Sequence, residues 1–505
     1  MNPNATLYQV APVYANRVVL ATRKLTVLPE RGNPIDRRQC GGRVRGDAMH
    51  WLWLILFIGL LLRLLHASDL PTVLLFRHGG GGDSGWYLAN GAGFFSGKEH
   101  GYIRGIAYYI SNLPTPPFYI IFAGIFQTFL PKHESVVAIR IVQCLVSVGT
   151  AYLAFRIVLT IVADLRAGLM AAALVALHPT FIVESNTIAT ETFYVFFIAA
   201  GLWLYIEYVV SRDGIAPPQK LSINLALVLA ALAFGMATLT RAVAALFPLG
   251  LVGHMLLLNL IDGRLRWFSK SLLLLVVYGA LLSTWTIHNL LLWNRFVILS
   301  DQLMPAIWRA AVTNDGSPEE NDELLLQDAR IIIDEDCEID CKFQHETDAY
   351  LKQIQASISQ DGVGYVLRRF GELGESIIQP HGTVSFGGTS VREAAANWLR
   401  DDRSTTGLIQ LTRIEGFAIK LVIWILHIFA IVFGLAGIWM TRKSWRHTAP
   451  LAGFLAYTTL IHFIVLDAPR YLFPNEIIWI IFASISLSAL AARRRRRDTV
   501  NPAAS

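Results

Sequence analysis

The stretch MHWLWLILFIGLLLRLL, Met49–Leu65, is an almost unbroken apolar run. A bilayer core of about 30 Å takes about 20 such residues in helical form, so the run reads as a membrane span. Four arginines, Arg37, Arg38, Arg43 and Arg45, precede it, and a glycine-rich polar segment follows. Positive charge stays on the cytoplasmic side, which places the preceding tail inside and the following segment outside. The rest of the chain repeats the pattern. Of its 505 residues 54% are hydrophobic and only 16% charged, where a soluble protein would carry about a quarter charged residues. The expectation is an all-α polytopic membrane protein. The formal net charge of +6 is no sign of nucleic acid, because the basic residues cluster at segment ends and in the run beginning at Arg493.

Working outward from that first span, the sequence alternates apolar runs with short polar turns. Spans are expected over about 49–65, 136–161, 168–183, 193–210, 221–238, the run ending before DGRLRWFSK, 271–288, 417–440, 451–466 and the run that ends at the arginines: about ten in all. The thirteen-residue run FYIIFAGIFQTFL from Phe118 is short for a span and reads as a re-entrant or interfacial helix. Residues 1–48 read as a disordered cytoplasmic tail with no signal-peptide core. A membrane module over 49–300 has a large first outer loop at 66–134, an extracytoplasmic and mainly helical domain covers 301–413, further spans cover 414–492, and 493–505 is a basic tail. Both termini are then cytoplasmic. Within the outer domain YVLRRFGELGESII, from Tyr365, has the spacing of an amphipathic helix.

The cysteines decide little. Cys40 lies in the tail, Cys144 in a span, and Cys337 and Cys341 stand four residues apart near His345. A structural zinc site usually needs four ligands, so a loop disulfide or two free thiols fits this local pair better than metal. No metal ligand is assigned, no cofactor is required, and use of a divalent metal stays open.

More informative are ionisable residues at the outer ends of spans: Asp83, Glu184, Glu191, Arg241, His288 and Arg470. Charge at membrane depth is costly and is usually paired or functional. Singly, each has a bland reading: a terminal arginine can anchor at headgroups, and Glu191 can cap a helix. Together they suit one chemistry. A carboxylate takes the proton of an acceptor hydroxyl, and cations hold a lipid-linked phosphate as its charge develops. In GGGGDSGWYLANG, Gly79–Gly91, the glycines let a loop return to the membrane and present Asp83, with Trp86 and Tyr87 placed to stack on sugar or to anchor at the interface.

These segments also carry a resemblance. DSGWYLANGAGFFSG from Asp83, PTPPFYIIF from Pro114, HPTFIVESNTIATETFYVFF from His178, TLTRAVAALFPLGL from Thr238, TWTIHNLLLWNRFVILS from Thr284 and APRYLFP from Ala468 follow one another. In that order they resemble elements of the C-type (GT-C) polytopic glycosyltransferases that use polyprenyl-phosphate sugars. That group contains the protein O-mannosyltransferases and the lipid A aminoarabinose transferases. The resemblance implies Asp83 as base and Glu191 as second site acid, with Tyr87, Arg241, His288, Arg470 and Tyr471 contacting substrate. It implies a polyprenyl-phosphate sugar donor, membrane lipid around the site, and a lipid, glycan or protein acceptor. Three positions depart from the group: Ser84 where many members have a second acid, Thr115 where some have lysine, and His288 where arginine is common. Residues 301–413 carry no resemblance. A bacterial inner membrane is the expected setting. The principal rival is a transporter or flippase of a lipid-linked sugar, which should place charged or broken helices near the midplane, often in repeats. A non-catalytic scaffold would leave the acids and cations without purpose.

Overall fold

The computed structural model describes residues 37–69, 82–96, 115–215, 221–263, 268–293, 296–300, 303–312, 339–465 and 468–500. The chain divides into two compact units, Met1–Trp51 and Leu52–Ser505. The first holds the opening turns of helix α1 (Arg37–Asp69); the second holds everything after them. Among the described residues every regular element is helical. After α1 come α2 (Gly82–Ser96), α3 (Phe118–Phe129), α4 (Lys132–Val162), α5 (Leu165–Leu177), α6 (Pro179–Glu184), α7 (Glu191–Arg212), α8 (Ile223–Thr240), α9 (Phe247–Asp262) and α10 (Phe268–Trp293). The outer segment forms α11 (Leu303–Val312), α12 (Ile339–Gln360), α13 (Gly362–Ile378), α14 (Val391–Asn397) and α15 (Thr405–Thr412). The chain closes with α16 (Phe417–Thr441), α17 (Trp445–Ile464), α18 (Pro469–Leu472) and α19 (Glu476–Val500).

Eight stretches are long and apolar enough to cross a membrane, and one of them, Phe417–Ile464, comprises both α16 and α17. The remaining crossing is broken. Pro179 cannot continue α5, so the chain restarts as α6, with the His178 ring nitrogen Nδ1 accepting the Thr180 backbone N–H at 3.3 Å. Among the described residues the protein is thus polytopic and all-α. Phe118–Phe129 is a separate twelve-residue helix, and α4 begins at Lys132, one turn before the expected start.

Helix α7 is the centre of the bundle, with 78% of its most apolar window buried, against 22% for the span within α1. Alanines of α5, among them Ala171, Ala172 and Ala176, sit fully enclosed in the core shared by these helices. Close approach is the driving geometry, as expected where lipid is as apolar as the side chains. A methyl group added at Gly437 of α16 would lie 2.1 Å from the Phe482 carbonyl oxygen of α19. Leucines on the outer faces of α1 and α16, such as Leu61 and Leu421, are left for lipid.

Polar contacts sort to two ends of the bundle. At one end Arg212 reaches Asp262 at 2.8 Å, Arg446 reaches Asp262 at 2.7 Å, and His447 reaches Asp213 at 3.2 Å. Those residues end α7 and α9 and begin α17, so the helices alternate in direction as the sequence reading requires. Charge also lies inside the bundle, away from the outer ends of spans. Arg156 and Glu207 approach to 3.7 Å inside the bundle, near the Arg212 end, where Trp203 and Thr160 also donate to Glu207 at 3.2 and 3.0 Å. Arg63, fully buried, donates to the Ala176 and Val175 carbonyls that terminate α5 at 2.6 and 3.3 Å. Arg63 is held by internal carbonyls, and Arg156 faces Glu207 as its buried counter-charge. The side chains of Cys337, Cys341 and His345 lie outside the described residues.

Candidate active site

The other end of the bundle gathers the remaining ionisable residues. Asp83 lies in the first turn of α2 rather than on a glycine loop; residues 79–81 lie outside the described residues. What fixes it is packing at a distance. Gly91 and Gly124 let α2 and α3 touch: a methyl group at Gly124 would lie 2.5 Å from the Gly91 carbonyl oxygen. Leu88, Tyr119, Ile139, Ile188 and Phe193 then form one apolar cluster joining α2, α3, α4 and the start of α7. Tyr87, one turn beyond Asp83, meets the Tyr119 ring edge-on at 4.8 Å. Burial and the nearby Glu191 carboxylate push its phenol up to about 12, so it is a neutral hydrogen-bonding group at any ordinary pH.

Glu191 begins α7 and is fully buried, where the helix N-terminus favours negative charge. Arg241 reaches its Oε1 at 2.9 Å from the point where α8 ends and the backbone turns extended. Arg470, presented by the proline-started turn α18, bonds the same Glu191 oxygen through Nε and the Asp83 carboxylate through a terminal nitrogen. Arg470 therefore bridges the two acids. The Arg241 guanidinium lies 5.3 Å from the centre of the Tyr471 ring, and Tyr471 stacks on His462 at 5.6 Å. The four charged groups form a neutral network in which Glu191 is enclosed while the Asp83 side chain is 59% exposed.

Two site expectations fall differently. His288 stacks on Trp285 at 4.6 Å and faces Phe94 at 6.1 Å. Its motif neighbours do structural work: Asn289 donates to the Val297 carbonyl at 3.0 Å and Trp285 to that of Leu299 at 3.2 Å. Glu184 is paired with His381 at 2.8 Å, a residue 197 positions away in the outer segment. Thr180 holds the His381 carbonyl at 3.1 Å, and Thr192 ties the Glu184 carbonyl to α7 at 2.9 Å. No sequence signal marked His381, because the contact is made only by the fold. Behind this wall a pocket is lined by His178, His427, Glu476 and Trp479. There the His427 Nδ1 lies 2.6 Å from Glu476, and its Nε2 lies 2.9 Å from the Ile377 carbonyl.

Residues 106–302 match the family model described as dolichyl-phosphate-mannose-protein mannosyltransferase. The match covers less than half of the chain. The resemblance read from the motifs is borne out there, and the segment contains Glu191, Arg241 and the Trp285–Asn289 element; Asp83 and Arg470 lie outside the match. No curated protein matches the chain. Solved structures similar to it include the archaeal oligosaccharyltransferase AglB from Archaeoglobus fulgidus in complex with an inhibitory peptide and a dolichol-phosphate. The two are 15% identical, the likeness covers 90% of this chain and 52% of that one, and the TM-score is 0.48. ArnT from Cupriavidus metallidurans bound to undecaprenyl phosphate is also 15% identical, with 87% and 78% covered and a TM-score of 0.33. The chain thus spans about half the length of the archaeal oligosaccharyltransferase.

Proposed function

We propose that the protein is a membrane glycosyltransferase that moves a sugar from a polyprenyl-phosphate donor to an acceptor hydroxyl on the extracytoplasmic face, in a bacterial inner membrane. The observation that carries this reading is the bridge: one arginine, Arg470, holds both Asp83 and Glu191, while Arg241 shares Glu191. Positive charge follows the same logic as in the sequence, with the basic run at Arg493 on the cytoplasmic side and the bridge at the opposite end.

The charges suggest how the site works. Two carboxylates and two guanidiniums balance, so a phosphate diester arriving with a negative charge needs a cation released to it. Of the two acids Asp83 is the exposed one, and it costs less to return to water than the enclosed Glu191. Donor phosphate takes the Arg470 nitrogen from Asp83, and the freed carboxylate becomes the base. It removes the acceptor proton as the acceptor oxygen forms a bond to the anomeric carbon. The bond from that carbon to the phosphate oxygen breaks, and its electron pair leaves on the lipid phosphate beside Arg241 and Arg470. A single displacement of this kind inverts the anomeric centre. Glu191 keeps both arginines in place, and Tyr87 and Tyr471 flank the sugar.

Arg470→Gln or Arg241→Gln should weaken donor binding. A hydrogen bond to a charged group contributes about 1.5–3 kcal/mol, or roughly ten- to a hundredfold in affinity. Binding of labelled polyprenyl-phosphate mannose to purified protein reads this directly. Unchanged affinity in both variants returns the arginines to headgroup anchoring and removes the phosphate role.

A further inference from the structure

We infer that α13, in the polar outer segment, is a membrane-surface helix whose apolar stripe lies in the outer leaflet. Val363, Leu367, Phe370 and Ile378 are 72%, 66%, 62% and 54% exposed. With Val366 they recur at helical spacing on one face, separated only by Gly371 and Gly374. The opposite face is held by protein: Arg369, Leu373 and Ser376 are buried. The charged Arg368, Glu372 and Glu375 flank the stripe without interrupting it.

Depth decides what covers the stripe. Helices α16 and α17 meet at the turn Arg442–Ser444, at the same end of the bundle as the Arg212 cluster. Midway along, α13 is fixed to the far end of α17, where Arg369 donates to the carbonyls of His462 and Phe463 at 2.7 and 3.1 Å. At a rise of 1.5 Å per residue those carbonyls stand about 28 Å above the turn. Near its end the Ile377 carbonyl meets His427 of α16 at 2.9 Å, about 21 Å above the same turn. A hydrocarbon core about 30 Å thick therefore reaches this helix. Phe370 packs on Phe463 at 4.7 Å, and the stripe continues the lipid-facing surface of Leu460 and Ile464 on α17. An exposed apolar face at that height is covered by acyl chains, while the charged flank turns to the outer segment, where Glu375 pairs with Arg392. Three residues after α13 comes His381, the partner of Glu184.

The test is spin labelling of the full chain in phosphatidylethanolamine–phosphatidylglycerol vesicles. Leu367→Cys and Phe370→Cys report the stripe, and Glu375→Cys reports the flank. Collision with oxygen should exceed collision with a water-soluble nickel chelate at 367 and 370, and the order should reverse at 375. Nickel access at all three positions puts the stripe in water and overturns the inference. Shielding of 367 and 370 from both reagents also overturns it, showing that protein, such as a second copy, covers the face.

Discussion

Asp83→Asn should insert, fold and bind polyprenyl-phosphate sugar while losing about 10²–10⁴ in transfer rate, the usual cost of removing a general base. Asparagine has nearly the same shape and still accepts a hydrogen bond from Arg470, so the bridge keeps one of its contacts. It cannot take the acceptor proton. Asp83 is the more exposed end of the bridge, which argues against a large stability effect and makes the rate the proper readout. Donor affinity should hold or rise, because Arg470 no longer has a charged competitor for the phosphate. A variant that transfers sugar at near-normal rate would exclude Asp83 as the base.

Glu191→Gln should do the reverse, with stability lost first. Glu191 is fully buried and is the shared anion of Arg241 and Arg470. Removing one member of a buried pair costs about 3–5 kcal/mol, since a charge is left uncompensated. The arginine side chains are 17% and 33% exposed, so water relieves part of this and the lower end is expected. The measurement is thermal unfolding in detergent, with an Arg241→Gln, Glu191→Gln double variant beside the single one. Removing both charges should recover part of the loss. A single variant as stable as the wild type would mean that Glu191 does not hold the arginines, and its place in the site would have to be given up.

The spans were legible because each is an apolar run of membrane length, and the direction of the chain because basic residues end alternate runs. The third crossing breaks at Pro179, inside the single span 168–183 that apolar length alone predicts. The sequence alone puts Asp83 on a loop because Gly79–Gly82 dominate the local signal. What makes its surroundings helical is the contact of Gly91 with Gly124, which no local pattern reveals. The sequence likewise assembled acids and cations at one end without their pairing. That Arg470 touches both Asp83 and Glu191 depends on positions hundreds of residues apart. Arg156–Glu207 and His381–Glu184 escaped notice for the same reason: each is an ordinary charge in its own segment and becomes notable only with its partner.

The most direct test follows both halves of the donor. Polyprenyl-phosphate sugars, with label in the sugar, are supplied to vesicles containing the purified protein and a mixture of lipid, glycan and peptide acceptors. The account predicts that free polyprenyl phosphate appears in step with labelled glycosylated acceptor, and that neither appears with Asp83→Asn. Labelled donor that crosses the bilayer intact, with no polyprenyl phosphate released, would contradict it and leave a carrier of lipid-linked sugar in its place.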